Sequence, residues 1–458
     1  MRRAVLLAGL LGTGSLAPLV AAVGTGLAPS AAGAPDRPSA AVSRYKTVEY
    51  RGVRVPVPAD RPVYRLDRDP TRCVRYDRPA VYLGRPGPQP DCPAKLVGRA
   101  DVLHLEPLGD PSARRRAAGL RVKADKLASH TVEPTVDHQV RVPLPEAGVV
   151  INGVYGDGPG ALQDTLRATR LTTAWPAEPS TPTEPQTRSA QRRADETQDE
   201  RKTKELVKAQ SDKPVEEQAK KPVKKQAAKK QKVWAQGKAF DTCTAPSLRA
   251  MSAWRSSYGI ANIYIGGAAR GCAQPNLTAS WVRRVRAMGY RLIPTYVGLQ
   301  APCGRYRQHF TAKNATAKGK AAAKDAVARA KALGIPAGKP IYFDIEAYDG
   351  RNASCRNAVL RFMHAWSRGM NNRNYAPGVY SSVSSGIRDL GLATGITKPK
   401  AIWFAHWDGQ ATVYDYPHLP ATWWPPHRRI KQYRGGHRET HGGVTINVDS
   451  NLVDGRVY

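Results

Sequence analysis

Between Gly237 and Tyr458, short apolar runs of strand type alternate with longer stretches of helical type, and no other feature constrains the fold as strongly. The strand-type runs are GKAFDTC, NIYIGGA, RLIPTYVGLQ, PIYFDIEAY, YAPGVYSS, AIWFAHWD, RRIKQY and VTINVDSN. Between them lie PSLRAMSAWRSSY, LTASWVRRVRAMG, KGKAAAKDAVARAKALG, RNAVLRFMHAWSRGM and SSGIRDLGLA. Strands that alternate with helical segments are the pattern of parallel βαβ units, and eight such strands fit a closed barrel better than an open sheet. The last two runs are joined through GGHRETHGG, which leaves no room for a crossover helix. The expectation is an α/β fold in which residues 237–458 form a TIM-like (β/α) barrel with its last helices missing.

The rest of the chain divides by composition. Residues 1–34 place Arg2 and Arg3 ahead of an Ala/Leu/Gly-rich apolar core and then small residues, the layout of a secretory signal peptide. Residues 45–171 begin with KTVEYRGVRVPV, PVYRL, AVYLG and VLHLEPL, separated by Pro, Asp and Gly, which predicts a small β-rich module. Its C-terminal part is less decipherable; ARRRAAGLRVKADKLA has the composition of a basic helix or a solvated charged face. Residues 172–235 shift to Pro, Thr, Glu, Gln and then Lys with almost no aromatics, too little apolar surface to offset chain entropy, so a disordered linker is expected.

Export gives the cysteines a meaning, because disulfides persist outside the reducing cytoplasm. Cys73 and Cys92 would staple the N-terminal module, while Cys243, Cys272, Cys303 and Cys355 fall in the barrel region. No spacing calls for a metal or cofactor: there is no CxxC, and His437 and His441 lie in a Gly-rich loop that lacks the helix needed to stack ligands four residues apart.

Reacting groups in such barrels gather at the C-terminal ends of the strands. Asp241 ends the first strand, Asp344 and Glu346 the fourth, and Asp449 the eighth. Residues i and i+2 of a strand share a face, so Tyr342, Asp344 and Glu346 should point inward together. The first and last strands are neighbours in a closed barrel, which brings four carboxylates to one mouth. A lone DIE would be an ordinary strand end. Here Tyr264, Tyr296, Gln300, Tyr342, Tyr380, Trp403, Trp407, Gln432 and Tyr433 supply rings and amides suited to sugars. Clustered carboxylates are what glycoside hydrolysis requires, one protonated to donate to the leaving oxygen and another to support the oxocarbenium-like centre.

FDTCTAPS, IYIGGAARGCAQ, YVGLQAPC, IYFDIEAY, GVYSS, IWFAHWDG, KQY and INVDSN resemble the secreted actinobacterial glycoside-hydrolase-like domain of unknown function. More distantly, their order is similar to that of the family 25 glycoside hydrolases, the lysozyme-type muramidases, whose β/α barrel lacks its last helices. The resemblance implies that Glu346 is the general acid, that Asp344 assists the substrate or the ion-like centre, and that Asp241 and Asp449 support them. The four cysteines and longer strand-top loops depart from the lysozymes. Adjacency of strands favours Cys243 with Cys272 and Cys303 with Cys355, bridges that would rigidify the cleft loops or serve general stability.

Two functions follow as expectations. The first is a secreted hydrolase of a bacterial cell-wall glycan of peptidoglycan type, an acetamido-sugar polymer, with Glu346 as acid and then base and Asp344 orienting the 2-acetamido group. The second is a non-catalytic wall-polysaccharide-binding protein that keeps the cleft. The chain holds 71 Lys and Arg against 37 Asp and Glu, a net charge of +34, which suits an anionic wall polymer as partner. Specific nucleic-acid binding would rest on charge alone, without a recognised module. A monomer, extracellular or wall-associated and without a membrane span after signal removal, is expected. Residues 201–232 alone carry 12 Lys and Arg against 4 Asp and Glu. Retention on an anionic wall polymer should therefore weaken strongly between low and moderate salt, because exposed charges are screened over about 8 Å at physiological ionic strength. Deleting residues 201–232 should flatten the dependence measured by co-sedimentation, whereas salt-insensitive retention of both forms would assign binding to the folded parts.

Overall fold

The computed structural model describes residues 44–109, 127, 129, 131–172, 233–414, 416 and 418–458. The expected signal peptide, nearly all of the expected linker and most of the basic stretch ARRRAAGLRVKADKLA lie outside the described residues.

The N-terminal region contains two sheets. Strands β1 (Tyr45–Tyr50) and β2 (Val53–Pro58) form a hairpin that turns at Arg51 and Gly52, both at positive φ. Alternation in β2 buries Val53, Val55 and Val57, and β8 (Arg170–Leu171) pairs with its start. The second sheet has the order β3-β4-β5-β7-β6, built from β3 (Val63–Arg65), β4 (Ala80–Leu83), β5 (Val102–Pro107), β6 (Gln139–Leu144) and β7 (Val149–Val154). The helix Gly160–Ala168 turns Leu162 and Leu166 into the core shared with Val53, Leu103 and Ile151. Gly153 leaves the room that Leu162 fills, since a Cβ there would meet the leucine methyls at 2.5 Å.

Residues 233–458 form a closed barrel of eight strands: β9 (Trp234–Asp241), β10 (Ile260–Gly266), β11 (Arg291–Tyr296), β12 (Pro340–Asp344), β13 (Ala376–Ser382), β14 (Ala401–Ala405), β15 (Arg429–His441) and β16 (Val444–Arg456). Period-two alternation sorts the side chains into two cores. Ile260, Ile293, Tyr342, Trp403 and Ile430 fill the interior, while Ile341, Phe343 and Ile345 face outward onto Phe362 and Trp366. The outer layer rests mainly on two long helices, Ala315–Ala332 and Ala353–Asn371, which approach closely because Gly319 presents no side chain to the backbone at Phe362.

The TIM-like (β/α) expectation is overturned. The barrel is not a helix-flanked parallel ring that merely lacks its last helices: β16 runs antiparallel to both neighbours, β15 and β9. The connections shrink to the 7-residue helix Leu248–Trp254 after β9 and the 5-residue helix Arg388–Leu392 after β13. The physical reason lies at Gly442 and Gly443, at φ 54° and 73°, which make the tight turn that sends β16 straight back along β15. The outer parts of the two strands pair with each other alone, as an arm beyond the barrel wall. That arm is fixed to the barrel by Trp254 Nε1–H donating to Val444 O at 2.8 Å.

The described residues from Arg44 onward belong to one compact unit, and loops of the N-terminal region pack on the barrel. Backbone pairing ties the loop around Cys272 to two N-terminal segments: Tyr76 N–H donates to Gly271 O at 2.8 Å, Gly98 N–H to Ala269 O at 2.8 Å, and Ala273 N–H to Val74 O at 3.1 Å. The disulfides are Cys73–Cys92, Cys243–Cys272 and Cys303–Cys355. Cys73, Cys92 and Cys272 bring their sulfurs within 4.8 Å of one another, so the N-terminal bridge and a barrel bridge share one buried contact. Gly271 permits this docking: a Cβ there would lie 2.6 Å from the Leu96 Cβ. Gly271→Val should cost about 1–3 kcal/mol, the usual range for overpacking. Hydrogen exchange should show the loss as faster exchange at 74–99, with the amides of β12 and β13 unchanged; unchanged protection at 74–99 would contradict the docking.

Candidate active site

The four acids singled out in the sequence meet at the barrel mouth, in two pairs. Asp241, the last residue of β9, is opposite Asp449 in the β9/β16 register. Asp449 is not a strand end, as the parallel reading expected, because an antiparallel strand reaches the mouth part-way along its length. Gln432 on β15 links the two carboxylates: its Nε2 donates to Asp241 Oδ2 and to Asp449 Oδ2, each at 3.1 Å, and its Oε1 accepts from Tyr380 OH and Trp407 Nε1, each at 2.9 Å. Asp241 also accepts from Tyr264 OH at 3.0 Å and from Asn451 Nδ2 at 2.7 Å.

The second pair stands across the mouth. Asp344 is the last residue of β12, and Glu346 lies two residues beyond it. Gln300 sets the backbone between them: its Nε2 donates to Asp344 O at 2.9 Å while its Oε1 accepts from Glu346 N–H at 2.7 Å. An amide that grips both sides of the turn fixes where the two carboxylates point.

Lys95, from the docked N-terminal loop, enters this cluster, and nothing in the barrel motifs signals it. Its ammonium is 3.0 Å from Asp344 Oδ2, pairs with Glu346 Oε1, and lies 3.6 Å from the centre of the Tyr380 ring. Burial alone would lower the lysine's pKa, but Asp344 and Glu346 outweigh it and hold the group well above the ordinary lysine value. Neither Asp344 carboxylate oxygen has a hydrogen-bond donor of good geometry among the described residues, so the lysine charge is what faces them.

Burial favours the protonated form of the three aspartates at the mouth. Burial pushes Asp344 up to about 7; Lys95 opposes the rise and Glu346 adds to it. Burial and the neighbouring Asp241 push Asp449 up to about 9, again opposed by Lys95. Asp241 is raised by burial although Asn451, Lys95, Gln432 and Tyr264 pull the other way.

Beside Glu346 opens a cleft of about 1380 Å³, lined among others by Tyr306, Tyr348, Tyr380, Ser382, Trp407 and Trp423. Trp407 is 65% exposed, an open aromatic face. Of the residues expected to bind substrate, Tyr380 and Trp407 line the cleft, and Tyr264, Gln300 and Gln432 position the acids. Four do not reach it. Tyr296 points outward and donates to Asp325 Oδ2 at 2.8 Å. Tyr342 is buried inside the barrel, donating to Arg456 O at 2.8 Å, and Trp403 donates to Asn451 Oδ1 at 2.7 Å. Tyr433, next to the inward-facing Gln432, is half-buried and lines no part of the cleft. Tyr306 and Trp423 also line the cleft, from loops outside the strand-end pattern, and Tyr348 lines it from the end of the run PIYFDIEAY, four residues beyond the strand itself. His437 and His441 both bind Glu439, at 2.7 and 2.9 Å; their bonds and that of Tyr258 outweigh burial and lower the carboxyl to about 2. Among the described residues, the one group of side chains spaced for a metal is Cys73, Cys92 and Cys272, all of them in disulfides.

Residues 252–453 match the Rv2525c-like, glycoside hydrolase-like domain family. The matched span holds Asp344, Glu346 and Asp449 and excludes both Lys95 and Asp241. Among solved structures, a Bacillus stearothermophilus protein is 20% identical, with 47% of this chain and 95% of that one covered and a TM-score of 0.34. The Mycobacterium tuberculosis Tat-secreted protein Rv2525c, in complex with L-tartrate, is 18% identical over 48% of this chain and 96% of its own, with a TM-score of 0.34. The modular autolysin LytC from Streptococcus pneumoniae is 14% identical over 48% of this chain and 46% of its own, with a TM-score of 0.32. No curated protein matches the chain.

The raised acids make a stability prediction. An unfolded aspartate releases its proton near pH 4, whereas folded Asp344 and Asp449 hold theirs to about 7 and 9. Between those limits these two groups bind more protons in the folded chain than in the unfolded one, so their contribution to stability falls as pH rises. The melting temperature of the full chain should be higher at pH 5 than at pH 8.5, and Asp449→Asn should lessen the fall. Each kcal/mol moves the midpoint by about 2–4 °C in a chain of this class, enough to resolve by calorimetry. A midpoint that climbs steadily from pH 5 to 8.5 would exclude this arrangement of charges.

Proposed function

We propose that the barrel hydrolyses a bacterial cell-wall glycan of peptidoglycan type, an acetamido-sugar polymer. The observation that carries this reading is Glu346 at the edge of an aromatic-lined cleft, with Asp344 buried behind it, within a span that matches a glycoside hydrolase-like domain. Glu346 borders open space and acts as general acid, giving its proton to the leaving oxygen and recovering one from water in the second half of the reaction. Asp344 is more deeply buried and is oriented through Gln300; it accepts the N–H of the substrate's 2-acetamido group, whose carbonyl oxygen then attacks the anomeric carbon. Substrate-assisted families of this kind are established exceptions to the two-carboxylate scheme. Asp241 and Asp449 hold the far side of the mouth through Gln432. Tyr380 and Trp407 offer faces on which sugar rings stack.

The second reading, a wall-glycan-binding protein without turnover, is favoured by one observation: Lys95 already pairs with both acids assigned to the chemistry. Three disulfides accord with work in an oxidising compartment, outside the cell or on its wall. Among the described residues no helix is long and apolar enough to cross a membrane.

The deciding experiment is product analysis by mass spectrometry after incubation with purified peptidoglycan. In whichever form of the chain turns over, Glu346→Gln should lower the rate about 10²–10⁴-fold, the usual worth of general acid catalysis, while glycan binding persists. Wild-type turnover by the Glu346→Gln variant would remove Glu346 from the mechanism, and no product from any form would leave the binding reading.

A further inference from the structure

The N-terminal loop is placed on the acids more firmly than a chance contact would be. Lys95 follows Cys92, which is tied to Cys73 and whose sulfur is 3.2 Å from Thr244 Oγ1 in the loop after β9. On the other side of Lys95, Leu96 O accepts from Gly271 N–H at 3.2 Å and Gly98 N–H donates to Ala269 O. Arg99 then exchanges two bonds with Gln308 of the barrel, N–H to Oε1 at 2.8 Å and O from Nε2 at 3.0 Å. The backbone is clamped on both sides, and the lysine stem spans the gap to the acids. Its side chain is only 15% exposed.

The contact blocks the chemistry proposed above at both of its groups. A general acid must reach the leaving oxygen with its carboxyl, yet the Lys95 ammonium already sits against Glu346 Oε1. Asp344 must offer an oxygen to an acetamide N–H, yet its Oδ2 faces the same ammonium. A site that stabilises an oxocarbenium-like centre is built to attract positive charge between its acids and its aromatic wall. Lys95 supplies a positive charge between Asp344, Glu346 and the Tyr380 ring, where a sugar entering from the cleft would have to come.

We propose that Lys95 is an intramolecular blocking residue: the docked N-terminal loop inserts an ammonium into the acid cluster and keeps the glycan out until that contact is broken. The inference rests on the assignment of Glu346 and Asp344 as the glycan site. It gives the N-terminal region a role as an inhibitory element of the same chain.

The test compares the full chain with its Lys95→Met variant, which keeps the stem and deletes the charge. The probe is a tetrasaccharide of alternating N-acetylglucosamine and N-acetylmuramic acid, titrated calorimetrically at pH 7; release of products from purified peptidoglycan is followed in parallel. The variant should bind the tetrasaccharide at least tenfold more tightly than wild type and release product at least tenfold faster. Tighter binding without product keeps the block and sinks the hydrolase reading. Equal or weaker binding by a folded variant overturns the block whatever the turnover, and no binding by either form up to millimolar probe overturns both. Should Lys95→Met fail to fold by circular dichroism, Lys95→Gln, which retains a polar end, gives the same comparison.

Discussion

Asp241 and Asp449 oppose each other across the seam where the barrel closes, and both are buried, so the mouth is organised around accommodating that pair. Two carboxylates in a low-dielectric site cannot both ionise without a large cost. The chain meets the constraint with neutral donors: Gln432 reaches both, and Tyr264 and Asn451 complete the coordination of Asp241. The same glutamine accepts from Tyr380 and Trp407, so the acid seam and the aromatic wall of the cleft are fixed by one side chain. Had β16 run parallel, it would have needed a crossover from β15, and the Gly442–Gly443 turn removes that possibility.

Charge is the second constraint on the mouth. Four acids gather there, and the cation among them comes from outside the barrel motifs. Removing one partner from a buried ion pair typically costs about 3–5 kcal/mol, because the other charge is left uncompensated. The docked loop is therefore electrostatically coupled to the acids as well as packed against them. The shared contact of two disulfides and the backbone pairing around Gly271 keep the loop in register with the barrel, so the ammonium arrives at one place.

Much of the barrel wall was legible because strand burial leaves a local signature. Each apolar run from GKAFDTC to VTINVDSN lies on one of β9 to β16, and Ile341, Tyr342 and Phe343 alternate between the two cores as a period of two requires. The direction of β16 was not legible from that period, since alternation is the same for a strand running either way. Aromatic residues were harder to place. Tyr296 and Trp407 both lie within strand-type runs, yet one is buried against helix Ala353–Asn371 and the other opens to solvent. Which side of the wall a ring occupies near a strand end depends on bulges and on the neighbouring helix, and such a bulge falls in the β10/β11 register between Tyr264 and Gly266.

The sequence by itself determined where the barrel strands lie, that Asp241 and Asp344 end the first and fourth of them, and that six cysteines were available for bridges, because these follow from residue type and short-range spacing. Only the tertiary structure decided that β16 returns antiparallel, that Asp449 meets Asp241 part-way along a strand, and that Lys95 stands between Asp344 and Glu346. The last contact joins residues about 250 positions apart in the chain, and its existence depends on a docking interface held by backbone hydrogen bonds. Such bonds use groups that every residue carries, so no residue pattern marks them in advance.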